Sequence, residues 1–155
     1  MNCPLNVVLF EPEIPQNTGN IGRSCVAVGA KLWLVEPLGF ELTEKRLRRA
    51  GLDYWQYLDL TIVQNWDQLL QHLPDMSPWL FTKHATRSYV DANYNLGDTL
   101  IFGNESSGLP AHIHNSWDAR RVRVPMLDKV RSLNLATTAG IAIYEAQRQI
   151  GELQP

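Results

Sequence analysis

Leu100-Ile101-Phe102-Gly103-Asn104-Glu105-Ser106-Ser107-Gly108-Leu109-Pro110 is an apolar run that stops at a turn carrying glycine, amide, carboxylate and hydroxyl groups. A second run ends in the same way at Val124-Pro125-Met126 and leads to Arg131-Ser132-Leu133-Asn134-Leu135. Ligand sites in α/β sheets lie outside the carboxyl ends of the strands, where such turns fall. A third segment, Asn17-Thr18-Gly19-Asn20-Ile21-Gly22-Arg23, joins them as a candidate part of one site assembled from distant stretches.

Working outward, short continuous apolar runs at 5–10, 32–35, 60–63, 79–83, 99–103 and 122–124 read as strands. Helical patterns lie between them. One runs over 17–30, with Ile21, Cys25 and Val26 inward and Gly29 near its end, and another over 67–73 before Pro74. The longest starts at Ser132 or Asn134 and runs to Ile150, with Leu135, Ala139, Ala142, Ile143, Ala146 and Ile150 on one face. Thr43 is expected to cap a basic helix that ends at Gly51. Strands alternating with helices predict an α/β fold with a mostly parallel sheet, and unbroken apolar strands predict helices on both faces. Pattern alone does not give the strand order.

At 155 residues the chain fits a single domain, 1–155, large enough for a core without staples. The formal net charge of −2 excludes whole-molecule attraction to nucleic acid, but nine of the 14 basic residues fall in two clusters. Lys45, Arg46, Arg48 and Arg49 form the first; Arg120, Arg121, Arg123, Lys129 and Arg131 form the second. Such patches hold phosphates locally, although a solvated helix face and a charge-guarded strand edge read equally well. Cys3 and Cys25, the only cysteines, lie in no metal-binding spacing and point to a reduced, cytoplasmic protein. No apolar run reaches the roughly 18 residues of a membrane span.

Each chemical feature has an ordinary reading beside the functional one. The 103–108 turn fails as a nucleophile elbow, because no GxSxG is present. Ser132 and Asn134 can cap the long helix, and a helix start also offers free N–H groups to a ligand. Asn17 can cap its own helix; Arg23, under two turns further on, can reach back toward the same edge. His112 and His114 diverge at i, i+2 on a helix, so no metal is expected. Tyr54, Trp55 and Tyr57 serve as packing residues, with base stacking as the alternative.

In this order, the three segments resemble the three motifs of the SPOUT (SpoU–TrmD) class of RNA methyltransferases, from about residue 5 to 150. Three further features resemble its small YibK/TrmL subgroup, the tRNA wobble-position ribose 2′-O-methyltransferases. They are the lack of an extra RNA-binding domain, the strand running into Glu11-Pro12-Glu13-Ile14-Pro15, and Lys45-Arg46-Leu47-Arg48-Arg49-Ala50-Gly51-Leu52-Asp53-Tyr54. The resemblance implies methyl transfer from S-adenosylmethionine to the ribose 2′-OH of nucleotide 34 in the tRNA anticodon loop, a C-terminal trefoil knot and a homodimer. It implies Gly103, Gly108, Val124, Met126, Ser132 and Leu133, with Lys83, as cofactor contacts. It implies Arg23, Asn17, Glu105, Ser132 and Asn134 as the catalytic set, and Lys45, Arg46, Arg48, Arg49, Arg120 and Arg121 as RNA contacts. Ser107 departs from the pattern, standing where some members carry a basic residue. Methylation of another tRNA or rRNA nucleotide, or a non-catalytic RNA-binding module, are the rival readings. A nucleotide-dependent oxidoreductase would need a dinucleotide fingerprint that is missing.

Overall fold

A computed structural model describes residues 3–43 and 53–151. Six parallel strands form one sheet: β1 (Asn6–Phe10), β2 (Lys31–Val35), β3 (Leu60–Val63), β4 (Pro78–Phe81), β5 (Thr99–Phe102) and β6 (Arg121–Val122). Their order is β3-β2-β1-β5-β4-β6. The chain steps outward from β1 to β3, then crosses back to build β4 and β5 on the other side of β1. The order therefore reverses between β1 and β5, and that switch point opens a crevice at the carboxyl ends of the central strands.

Side chains alternate along each strand and feed two cores. Val7, Leu9, Leu32, Leu34, Leu100 and Phe102 face one core; Val8, Phe10, Trp33, Val35, Leu80 and Ile101 face the other. Helices α1 (Pro15–Val28) and α4 (Leu135–Ile150) close the first with Ile21, Cys25, Ala139, Ala142, Ile143 and Ala146. Helices α2 (Trp66–His72) and α3 (Ala111–Ser116) close the second with Leu69 and Ile113. Continuous apolar strands are thus explained by burial on both faces, as the sequence predicts.

Several boundaries differ from the sequence reading. Helix α1 begins at Pro15, not Asn17, because proline at the first helical position lacks only an N–H that would be unpaired there. Asn17 is accordingly not its N-cap; Ile14 holds that position without a side-chain bond. Strand β4 stops at Phe81, and β6 pairs with it for only two residues. Beyond β6 the Arg123 N–H donates to Arg87 O, and the Tyr89 N–H donates to Arg123 O. Helix α3 has no counterpart in the sequence reading, since its six residues bury only Ile113 and His114 and show no period. Asn134 caps α4 as predicted, its Oδ1 accepting from the Ala136 and Thr137 N–H groups at 2.8 and 3.2 Å. Ser132 lies before the cap. The expected basic helix, with Lys45, Arg46, Arg48 and Arg49, lies outside the described residues. Among the described residues no helix is long and apolar enough to cross a membrane.

Candidate functional site

A cleft of about 770 Å³ opens at the carboxyl ends of β4, β5 and β1, where the strand order reverses. Its walls include Asn17, Lys83, Gly103, Glu105, Gly108, Val124, Met126, Ser132, Leu133 and Asn134, so three segments far apart in sequence meet there.

What brings them together is a chain of polar contacts. The Glu105 carboxylate accepts from the Glu13 N–H at 2.8 Å, the Ile14 N–H at 3.1 Å and Asn17 Nδ2 at 3.3 Å. It lies at the N-terminus of α1, where a negative charge is favoured by the helix dipole. Asn17 Oδ1 in turn accepts from Asn134 Nδ2 at 3.0 Å. Asn134 is the cap of α4, so one run of bonds links the 103–108 turn, the start of α1 and the start of α4. The clasp is reciprocal: Ser106 Oγ and its N–H donate to the Glu13 carboxylate at 2.8 and 3.3 Å. Inside the turn, Asn104 Oδ1 accepts from the Ser107 N–H and hydroxyl at 2.8 and 2.9 Å. Gly103 packs so closely on the returning strand of that turn that a Cβ on it would stand 2.2 Å from the Gly108 carbonyl carbon.

Asn17, Glu105 and Asn134 therefore hold three loops in register with one another. Removing the carboxylate leaves two backbone donors and one amide to water alone. Glu105→Ala is expected to destabilise the protein by roughly 1–3 kcal/mol, since hydrogen bonds to a charged group are worth more than neutral ones. Chemical denaturation measures this; a change within about 0.5 kcal/mol would show that the clasp carries no stability.

Arg23 is not on the cleft wall. Six residues past Asn17 it has turned to another side of α1. Its guanidinium carbon lies 4.9 Å from the centre of the Tyr54 ring, on which it stacks. The Tyr54 hydroxyl donates to Gly19 O, and Trp55 packs against Gly22, so both aromatics brace α1. The expectation that Arg23 reaches back to the Asn17 edge is corrected by this placement. Tyr57 alone of the three is open, 74% exposed.

Arg120 is half-buried, its guanidinium carbon 3.8 Å from the centre of the Trp79 ring, with Nε donating to Pro78 O at 2.8 Å. Arg121 pairs with Asp118 at 3.5 Å. His112 is exposed and His114 buried, as their divergence on a helix predicts. No group of three or more His, Cys, Asp or Glu converges among the described residues. Two cleft residues, His84 and His114, have no such role in the sequence reading; the only signal is a histidine pair weighed for metal.

Residues 4–144 match the SpoU rRNA Methylase family. The chain is similar to a tRNA (cytidine(34)-2'-O)-methyltransferase of Saccharophagus degradans, 45% identical over 148 residues that cover 94% of this chain and 96% of that protein. A solved structure that gives insight into the 2-OH methylation of C/U34 on tRNA superposes with a TM-score of 0.88 at 43% identity, covering 94% of this chain and 95% of the other. The SpoU methyltransferase AviRb from Streptomyces viridochromogenes, in complex with the cofactor AdoMet, superposes with a TM-score of 0.81 at 25% identity over 96% of this chain and 58% of its own.

Proposed function

The chain belongs to the SpoU rRNA Methylase family, and from that premise we infer that it is a tRNA methyltransferase, moving a methyl group from S-adenosylmethionine to the ribose 2′-OH of nucleotide 34. The family reading implies a C-terminal knot, which we include in the proposal. The observation that carries the reading furthest is the cleft in which the three motifs are tied by Glu105, Asn17 and Asn134.

The residues present fit the cofactor. The cleft has the volume for a nucleoside with an amino-acid tail, a glycine turn that lets backbone approach closely, and a helix start beside Ser132. We assign Gly103, Gly108, Val124, Met126, Ser132 and Leu133, with Lys83, as the residues that hold it. When bound, S-adenosylmethionine supplies a methyl group already activated by its sulfonium, which leaves a neutral thioether behind. The protein's part is alignment and charge. Asn17, Glu105 and Asn134 hold the loops so that the ribose oxygen meets the methyl in line, which is worth several kcal/mol. Ser132, on the same wall, is placed to hydrogen-bond a ligand. Arg23 supplies a guanidinium, a planar cation with a fork of donors. Because it lies off this protomer's cleft wall, its proposed role is a fixed cation that grips a phosphate of the RNA or, in the proposed homodimer, stabilises the developing alkoxide in the other subunit's cleft.

The working unit proposed is a homodimer of the 1–155 domain in the cytoplasm. Small residues of α4 suit such a contact, but Ala139, Ala142 and Ala146 face the protomer's own core. Gly140 and the half-exposed Tyr144, spaced by four and outside that core, are what α4 offers a second subunit.

Incubation with S-adenosylmethionine and tRNA is expected to leave a 2′-O-methyl group at nucleotide 34, detected by nuclease mapping. A methyl on a base, or at another nucleotide, would overturn the assignment. For RNA contacts we propose Lys45, Arg46, Arg48, Arg49, Arg120 and Arg121. Replacing Arg48 and Arg49 together by alanine should flatten the salt dependence of tRNA binding by roughly one unit of slope for each phosphate no longer gripped. Cofactor affinity should not move. An unchanged salt series would return the grip to other cations.

A further inference from the structure

The sheet order gives the cleft two chemically different ends. Asn17, Glu105 and Asn134 stand at the β1–β5 side, rich in amide and carboxylate groups. Two strands away, about 10 Å at the usual inter-strand spacing, lies the β4–β6 side. Here Leu109, Val124 and Met126 give apolar wall, Lys83 and Arg123 follow just past β4 and β6, and His84 stands three residues beyond Phe81. Against His84 lies His114 from α3, with ring centroids 6.0 Å apart and planes at 78°.

His114 is 9% exposed, and its Nδ1 has no hydrogen-bond partner among the described residues. A buried polar atom left without a partner is costly and calls for an explanation. Burial, with the positive charge of Arg121 and the neighbouring His84, pushes the imidazole below its ordinary value of 6.5. The Leu109 backbone and Asp118 oppose this with smaller effect. The ring is therefore neutral at neutral pH, with one N–H donor and one nitrogen acceptor. Apolar wall beside a neutral imidazole suits a flat heteroaromatic base, whose edge alternates donors and acceptors.

We propose that His114 hydrogen-bonds the edge of the adenine of bound S-adenosylmethionine, as the base-reading side chain of the cleft. The proposal rests on the cofactor reading above.

The test titrates S-adenosylmethionine and 5′-methylthioadenosine, which has the same nucleoside without the amino-acid end, into wild-type protein, His114→Leu and His114→Gln. Leucine should weaken both ligands alike, by roughly 5–10-fold, and glutamine should recover part of the loss. The ligand-free leucine variant should melt no lower than wild type, because a buried unpaired polar atom is gone. A residue with a merely structural role would lower the melting temperature instead. Ring-nitrogen NMR of the wild type needs no variant: the His114 signals should shift on saturation with 5′-methylthioadenosine. Equal binding of both ligands by the leucine variant and by wild type overturns the proposal, as do unshifted ring signals. So does a loss confined to S-adenosylmethionine, which would place His114 at the amino-acid end. Wild-type protein that binds neither ligand overturns the cofactor reading itself, and is told apart by that control.

Discussion

Gly103→Ala is expected to abolish cofactor binding in the working range, a loss of about 100-fold or more in affinity, and to lower stability as well. A single added carbon has nowhere to go. It would stand 2.2 Å from the Gly108 carbonyl carbon, 2.4 Å from Leu109 N and 2.5 Å from Gly108 Cα. All three are backbone atoms, so no rotamer change relieves the clash; the turn must open. Opening it moves Glu105 and Ser106, which clasp Glu13, Ile14 and Asn17. One methyl thereby disturbs the cleft wall and the register of α1 together. Overpacking of this kind typically costs about 1–3 kcal/mol, read as a fall of several degrees in melting temperature. The larger effect falls on binding, because misplacement of a wall by an ångström disrupts several ligand interactions at once.

A control separates the clash from backbone strain. Gly97 has φ of +88° and nothing within 4 Å of where a Cβ would stand. Gly97→Ala should therefore cost only about 1 kcal/mol for forcing a left-handed conformation, with cofactor affinity unchanged. If Gly103→Ala binds S-adenosylmethionine within two-fold of wild type, the close approach of the turn is not part of the cofactor site. Loss of affinity on replacing Gly97 would point to global loosening as the cause.

What the sequence disclosed, and what it withheld, follows from how local each cause is. The strands were legible because burial on both faces leaves unbroken apolar runs such as Val7-Val8-Leu9-Phe10. The end of α1 at Gly29 and the cap of α4 at Asn134 were legible because capping acts within a few residues. The start of α1 was hidden for the opposite reason: the group that accepts from the N–H groups before it is Glu105, about ninety positions along the chain. Candidate site residues stand out because glycine, amide and carboxylate gather at strand ends. The roles of Asn17, Glu105 and Asn134 toward one another were hidden, since a hydrogen bond between Asn17 and Asn134 leaves no trace in either local pattern. The stacking of Arg120 on the buried Trp79 was hidden because a fully solvated cation and one packed on a ring look alike in sequence. His114 carries no signal of its own; only the fold places it beside His84 and on the cleft.

The last prediction separates binding from chemistry. Arg23→Ala is expected to lower turnover on tRNA by about 10²–10³-fold, the usual effect of losing one group that stabilises developing negative charge. Cofactor affinity should stay within two-fold, because Arg23 does not line the cleft and sits instead against the Tyr54 ring. The two outcomes come from different surfaces of α1: Asn17 faces the cleft, while Arg23 faces the Tyr54 ring. Arg23→Lys should recover only part of the rate, since an ammonium keeps the charge but loses the planar donor fork and its stacking on Tyr54. Single-turnover kinetics at saturating S-adenosylmethionine isolates the transfer step, and calorimetry gives the affinity independently. A variant that has lost cofactor binding in proportion to its rate would make Arg23 part of the cleft's architecture. Undiminished turnover would remove it from the reaction, and the charge on the alkoxide would have to be met by Ser132, by Lys83 or by the RNA itself.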